Sequence, residues 1–198
     1  MKIRLNARDA LIVVDVQVDF LPGGVLAVPD GDQVIPVLNQ YIRLFSAAEQ
    51  PVYFTRDWHP ANHASFCENG GLWPAHCVAD SPGASFPADL QSPSDNKFII
   101  AKGVQQEFDA YSGFQATPLL SLLQERGVRR VFIGGLATEY CVKSTVTGAL
   151  HLGFTTCLLS DAVQGIEVNP GQCKKALEQM LSAGAIAISL QDLSCDCL

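Results

Sequence analysis

The sequence predicts a doubly wound α/β fold: a mainly parallel six-stranded sheet with helices on both faces. Short apolar, β-branched runs recur along the 198 residues. They are continuously apolar rather than alternating, as strands buried on both faces of a parallel sheet must be. Segments with helical spacing and capping signals lie between them, and this alternation favours a parallel sheet over a meander.

The first strand is Ala10 to Val14. After Asp32, a candidate N-cap, Val34, Leu38, Tyr41, Phe45 and Ala48 recur at helical spacing. Val52 to Thr55 forms a second strand and Phe98 to Ile100 a third. Thr117-Pro118 starts a helix that Gly127 stops. Arg130 to Ile133 is the fourth strand, followed through Gly134 and Gly135 by a helix with Cys141 in its first turn. Thr155 to Leu159 and Ala185 to Ile188 complete the sheet, separated by a helix opened by Asn169-Pro170 and closed by Gly184. Residues 56–96 lack periodicity and are rich in Pro, Gly, Ser and His. They hold three of the four histidines and both tryptophans, which argues for a functional loop rather than disorder. The chain reads as one domain over 1–198, with no internal repeat.

Hydrophobic residues make up 48% of the chain, and the net charge is −7. The 13 Lys and Arg are scattered, so no nucleic-acid footprint is expected and a small-molecule substrate is the better fit. The N-terminal residues have no apolar signal core, and Leu11 to Val14 is too short to span a membrane. A cytoplasmic protein without membrane partners is expected. Seven cysteines without a CxxC pair argue against a disulfide framework. The Cys195/Cys197 tail is assigned no role.

In an open parallel sheet, ligands bind beyond the carboxyl ends of the strands. Asp15, Lys102 and Cys141 all follow such ends and are expected to share a crevice, as base, cation and thiol for nucleophilic acyl transfer. The helix start should lower the thiol pKa of Cys141 and offer N–H groups to an oxyanion. The alternative for Cys141 is a small packing residue, and for Asp15 a turn cap. In the long loop, Asp57 and His59 project to one side of an extended chain and His76 offers a third ligand, a set suited to a divalent metal. His63, Glu68 or water stays open as the fourth ligand.

Taken in order, LIVVDVQVDFLPGG (11–24), RDWHPANHASF (56–66), LWPAHC (72–77), IIAKG (99–103), DAYSGF (109–114) and GGLATEYCVKST (134–145) resemble the nicotinamidases of the isochorismatase-like cysteine hydrolase family. The resemblance implies a catalytic triad of Asp15, Lys102 and Cys141, and one divalent metal on Asp57, His59 and His76. Zinc is the first expectation, with iron and manganese also compatible with these donors. It further implies a cis peptide at Leu136-Ala137 and substrate contacts from Phe20, Trp73, Leu136, Ala137 and Tyr140. The implied activity is hydrolysis of nicotinamide to nicotinate and ammonia through a thioester, in NAD salvage. Alternatives are another hydrolase of the same fold or a non-catalytic small-molecule-binding module, and a homo-oligomer is left open.

Overall fold

The six apolar runs form one sheet. In the computed structural model, which describes residues 2–194, the strands are β2 (Asp9–Val14), β3 (Val52–Asp57), β4 (Lys97–Lys102), β5 (Arg130–Leu136), β6 (Thr155–Gln164) and β7 (Ile186–Ile188). They pair in the order β4-β3-β2-β5-β6-β7, and every pairing is parallel. A second, two-stranded parallel sheet joins β1 (Ile3–Arg4) to β8 (Leu193–Ser194). Two residues per strand are too few for a periodic signal, and the sequence reading did not anticipate this pair. Cys195 and Cys197 lie outside the described residues.

Alternate residues of each strand feed separate cores. Leu11, Val13, Phe54, Phe132 and Leu159 point to the face covered by α1 (Val34–Ala47), which contributes Leu38, Tyr41 and Phe45. Ala10, Ile12, Val14, Tyr53, Ile133 and Leu158 point to the other face. There α2 (Leu119–Glu125), α3 (Lys143–His151) and α4 (Gln172–Ser182) supply Leu119, Leu123, Val146 and Met180. Each fully buried Leu, Val, Ile or Phe contributes about 1.5–3 kcal/mol relative to exposure. On the α1 face the long loop does the work of further helices, since its Cys77, Ala84 and Leu90 are part of that core.

The helix stops are the expected glycines. Gly127 (φ 66°) and Gly184 (φ 108°) are left-handed, and the next residues, Val128 and Ala185, donate back to the carbonyls of Leu123 and Met180. The starts differ from expectation. Asp32 makes no side-chain cap, because a 3₁₀ turn (Gly31–Gln33) runs straight into α1 and the Gln33 N–H bonds the Asp30 carbonyl instead. Thr117 does accept the Leu119 N–H (3.2 Å), with Pro118 at the cap position. The helix expected from Pro170 begins at Gln172, because left-handed Gly171 (φ 82°) interrupts the helical path.

The strand order matters for function. From β2 the chain builds outward through β3 and β4, then returns to the other side of β2 to build β5, β6 and β7. The direction reverses between β2 and β5, which opens a crevice at their carboxyl ends. Asp15 follows β2 directly, and Cys141 lies five residues beyond the end of β5.

Candidate active site

Three chemically different side chains meet at the switch point. Lys102 is the last residue of β4, two strands away from β2, and its long side chain spans to residues at the ends of both β3 and β2. Its Nζ lies 2.9 Å from Asp15 Oδ2, 2.5 Å from Asp57 Oδ1, and 3.4 Å from Cys141 Sγ. The Ala110 carbonyl, at 3.0 Å, gives the ammonium a fourth contact. Asp15, Lys102 and Cys141 are all buried. Asp15 has a left-handed backbone (φ 48°). Its N–H bonds the Thr55 carbonyl, and its Oδ1 accepts from the Thr55 hydroxyl at 2.6 Å.

The charges decide the resting state. Burial alone would lower the Lys102 pKa, but Asp15 and Asp57 outweigh it and hold the ammonium pKa well above its usual range. Burial raises the Asp15 carboxyl, with Lys102 pulling the other way. A carboxylate raised in this way is a better proton acceptor. For Cys141 the expected lowering is overturned. Burial is the largest influence, Lys102 opposes it, and Asp15 and Asp57 add to it, so the thiol pKa stands well above its ordinary value. A single cation already faces two carboxylates, and a third negative charge is disfavoured. The resting group is a neutral thiol, with the Lys102 ammonium 3.4 Å from its sulfur.

Cys141 sits in a π-helical turn, Thr138–Val142, that precedes α3. An α-helical start would give the Ala137 carbonyl to the Cys141 N–H. Here the N–H groups of Tyr140 and Val142 take it instead (both 3.1 Å), leaving the Cys141 N–H outside that ladder. The Leu136-Ala137 peptide immediately before the turn is cis.

Asp57, His59 and His76 bring one donor atom each within 4.8 Å of one another, and all three are buried. Both imidazoles are held by backbone carbonyls: His59 Nδ1 by Gly103 at 2.9 Å, His76 Nδ1 by Pro74 at 2.8 Å. A carbonyl only accepts, so each Nδ1 carries the proton and each Nε2 presents a lone pair. Burial pushes the His59 pKa down to about 3, against the pull of the Gly103 carbonyl, so this ring stays neutral. These residues fit a divalent cation. Asp57 belongs to both groups, its Oδ1 facing Lys102 and lying 3.8 Å from His59 Nε2.

His63 stacks on His59 with ring centroids 4.1 Å apart, but its nitrogens are engaged. Nε2 donates to the Phe108 carbonyl (2.9 Å) and Nδ1 accepts from Ser65 Oγ (2.7 Å). Glu68 is exposed in a 3₁₀ turn. Neither joins the donor cluster.

The cavity over these groups has Cys141, Asp57, His76 and Ala137 in its lining, with Phe20, Trp73, Tyr111 and Tyr140 as aromatic walls. Trp73 packs edge-on against Tyr140 and donates its indole N–H to the Tyr111 hydroxyl (2.9 Å). Of the five expected substrate contacts, Leu136 stands apart: its side chain is fully buried in the α1-side core and does not line the cavity. It ends a strand, and its outward neighbour in the chain, Ala137, reaches the cavity instead. Tyr111, Leu26 and Ile166 line the cavity and were not foreseen. Gln17 was also missed. Its amide donates to the carbonyls of Asp57 (2.8 Å) and Ala84 (2.9 Å) and accepts from the Asp57 N–H (2.7 Å), fixing Asp57 and the loop together. A polar residue two positions beyond Asp15 was the available signal.

Comparison with known proteins agrees with this architecture. The Isochorismatase domain model matches residues 9–192. A nicotinamidase of Escherichia coli (strain K12) is 35% identical over 204 residues, spanning 92% of this chain and 95% of that protein. Pyrazinamidase of Pyrococcus horikoshii, solved in complex with zinc, superposes with a TM-score of 0.87 at 49% identity, covering 92% of this chain and 99% of that one. PnC1 from L. infantum, solved in complex with nicotinate, gives a TM-score of 0.87 at 34% identity over 98% of this chain and 99% of that one. With a family model matched over almost its whole length and relatives of this similarity, the chain belongs to the isochorismatase domain family.

Proposed function

We propose that this protein is a nicotinamidase, hydrolysing nicotinamide to nicotinate and ammonia, and that residues 1–198 act as a single catalytic domain. The observation that carries the reading is the sharing of one aromatic-walled cavity by Cys141 and by Asp57 and His76 of the donor trio. A flat heteroaromatic ring with an exocyclic carboxamide matches both ends of that cavity. Similarity to proteins named nicotinamidase and pyrazinamidase supports the same substrate class.

In this reading Asp15 is the base, Cys141 the nucleophile and Lys102 the cation that stabilises the ionised groups. Asp15 takes the thiol proton as the sulfur attacks the carboxamide carbon. Charge develops on the carboxamide oxygen, and the N–H groups of Ala137 and Cys141 are its donors. The proton held by Asp15 passes to the departing nitrogen, the carbon–nitrogen bond breaks, and ammonia leaves a thioester on Cys141. Asp15, again a carboxylate, then takes a proton from water, whose oxygen attacks the thioester. Nicotinate is released and the proton returns to the thiol. Asp57, His59 and His76 would hold a divalent ion, zinc in the first instance, which would supply a Lewis acid to orient the ring. Phe20, Trp73 and Tyr140 confine the ring between them. The product belongs to NAD salvage, and the site of action is the cytoplasm. Among the described residues no helix is long and apolar enough to cross a membrane.

The test is ammonia release from nicotinamide beside other primary amides, with Cys141→Ala and with metal-stripped protein. Release from nicotinamide, abolished in Cys141→Ala and shifted to much higher KM on stripping, is expected. Full turnover by Cys141→Ala would refute the mechanism, and preference for an amide without a ring nitrogen would refute the substrate.

A further inference from the structure

Glu139 is a buried acid that the proposed reaction leaves unused. It lies two residues before Cys141 in the π-helical turn and is 2% exposed. Its Oε1 accepts two consecutive backbone N–H groups from the segment after β6, Ile166 at 2.9 Å and Glu167 at 2.8 Å. Glu167 is left-handed (φ 56°), a turn that swings successive N–H groups toward one point and makes an anion-binding nest. Gly165 completes the wrap. A Cβ there would stand 2.4 Å from Glu139 Oε2 and 2.2 Å from Cys173 Sγ, so the segment lies against the carboxylate as closely as bare backbone allows. Ile166, in the middle of this segment, lines the cavity together with Cys141, Tyr140 and Ala137.

We propose that Glu139 is a positioning residue: its carboxylate latches residues 165–167 to the turn that carries Cys141, and so fixes Ile166 as a wall of the substrate cavity. A carboxylate suits the task because an ionised acceptor makes hydrogen bonds roughly twice as strong as a neutral one. The latch bridges the end of β6 to the turn after β5, the turn that carries the nucleophile. It therefore governs how firmly a ring is gripped beside Cys141, not the chemistry on sulfur. The proposal rests on reading this cavity as the carboxamide site.

The test combines steady-state kinetics on nicotinamide with amide hydrogen exchange at Ile166 and Glu167, in the wild type, Glu139→Ala and Glu139→Gln. Glu139→Ala should raise KM about tenfold or more while kcat stays within about threefold. Glu139→Gln, whose amide oxygen accepts the same two N–H groups, should bring KM back to within about threefold of wild type. The two amides should exchange slowly in the wild type and the Gln variant, and fast in the Ala variant. Unchanged KM in Glu139→Ala, equal loss of kcat in both variants, or rapid exchange of the two amides in the wild type would each overturn the latch. If Glu139→Ala does not fold, the wild-type exchange rates and the Gln variant decide. If the wild type releases no ammonia, the carboxamide reading falls, and amide exchange still judges the latch separately.

Discussion

Gly103→Ala tests the donor trio without touching any of its members. Gly103 follows Lys102 at the end of β4, its φ is +61°, and its carbonyl holds His59 Nδ1 at 2.9 Å. A Cβ built on it would lie 2.4 Å from His59 Cε1 and 2.6 Å from Nδ1, about 1 Å inside ordinary contact. The imidazole is pinned on its other faces by the His63 stack and by Phe66, edge-on with centroids 5.6 Å apart, so it has little room to retreat. Two effects follow. An alanine forced into the left-handed region costs about 1–2 kcal/mol of stability. Displacing the His59 ring by even part of that 1 Å exceeds the roughly 0.2 Å tolerance of a metal–nitrogen bond.

Loss of an orienting partner to a metal-bound histidine typically costs about 10–100-fold in affinity. The expected outcome is a zinc affinity lowered by at least tenfold, measured by titrating stripped protein against a competing chelator. A fall in Tm of a few degrees should accompany it. The Gly103→Ala protein should still react at Cys141 with a small alkylating reagent, because the atoms nearest the added Cβ all belong to His59 and Cys141 is not one of the donor trio. Zinc affinity within about threefold of wild type, in a variant carrying the expected stability loss, would show that His59 is not a ligand held by Gly103.

Three further outcomes are expected. Lys102→Met leaves Asp15 and Asp57 facing each other without their cation, a loss of about 3–5 kcal/mol when both stay charged. The Asp15 pKa already lies above its ordinary 3.8, and losing Lys102 raises it further. The folded variant then holds a proton that the unfolded chain releases, so its stability falls as pH rises from about 4 toward the raised value. Urea unfolding at about pH 5 and about pH 8 should show the larger deficit at the higher pH, and an equal deficit at both contradicts the charge argument. Iodoacetamide alkylation of Cys141 in metal-free protein should keep accelerating beyond the pKa of about 8.5 of a free thiol, and a plateau reached well below that value would restore the helix-lowered thiolate. Asp9→Asn breaks the paired contacts from Arg130 (Nε 2.9 Å, Nη2 2.6 Å) at the opposite, amino end of β2. It should cost about 1–3 kcal/mol in unfolding while leaving kcat/KM for the amide unchanged.

The sheet was legible because its signal is local. A run such as Leu11-Ile12-Val13-Val14 must be buried on both sides, and a parallel sheet is the structure that does this. Asp15 and Cys141 were legible for a related reason, since a polar group directly beyond such a run falls at the ligand edge wherever the strand sits. Lys102 was legible as a position but not as a geometry. Its contact with Asp57 depends on β4 lying next to β3 in a register that sets Asp57 opposite Lys102, and neither strand alone encodes that. The thiol pKa was misread because a helix start is visible in sequence, whereas the two carboxylates and the burial around Cys141 are not.

The long loop shows where pattern reading stops. Its residues have no apolar period because apolar packing is only part of what orders them. Buried polar groups at the strand ends reach out and fix it: Gln17 bonds the Ala84 carbonyl, and Asp19 accepts the Cys77 N–H at 2.7 Å. Asp19 also leaves no room for a Cβ at Gly83, which would stand 2.2 Å from its carboxylate oxygens. The loop in turn delivers His76 and Trp73 to the cavity. Each of these bonds joins residues 58 or more positions apart, so a hydrophobic-period argument is blind to them. The readable trace is instead chemical: Asp15, Gln17 and Asp19 are three polar side chains at alternate positions just past the apolar run Ala10 to Val14. They have to find buried partners, and the loop supplies two of the three sets. An irregular loop beside such a triplet is therefore better read as the site's second wall than as a linker.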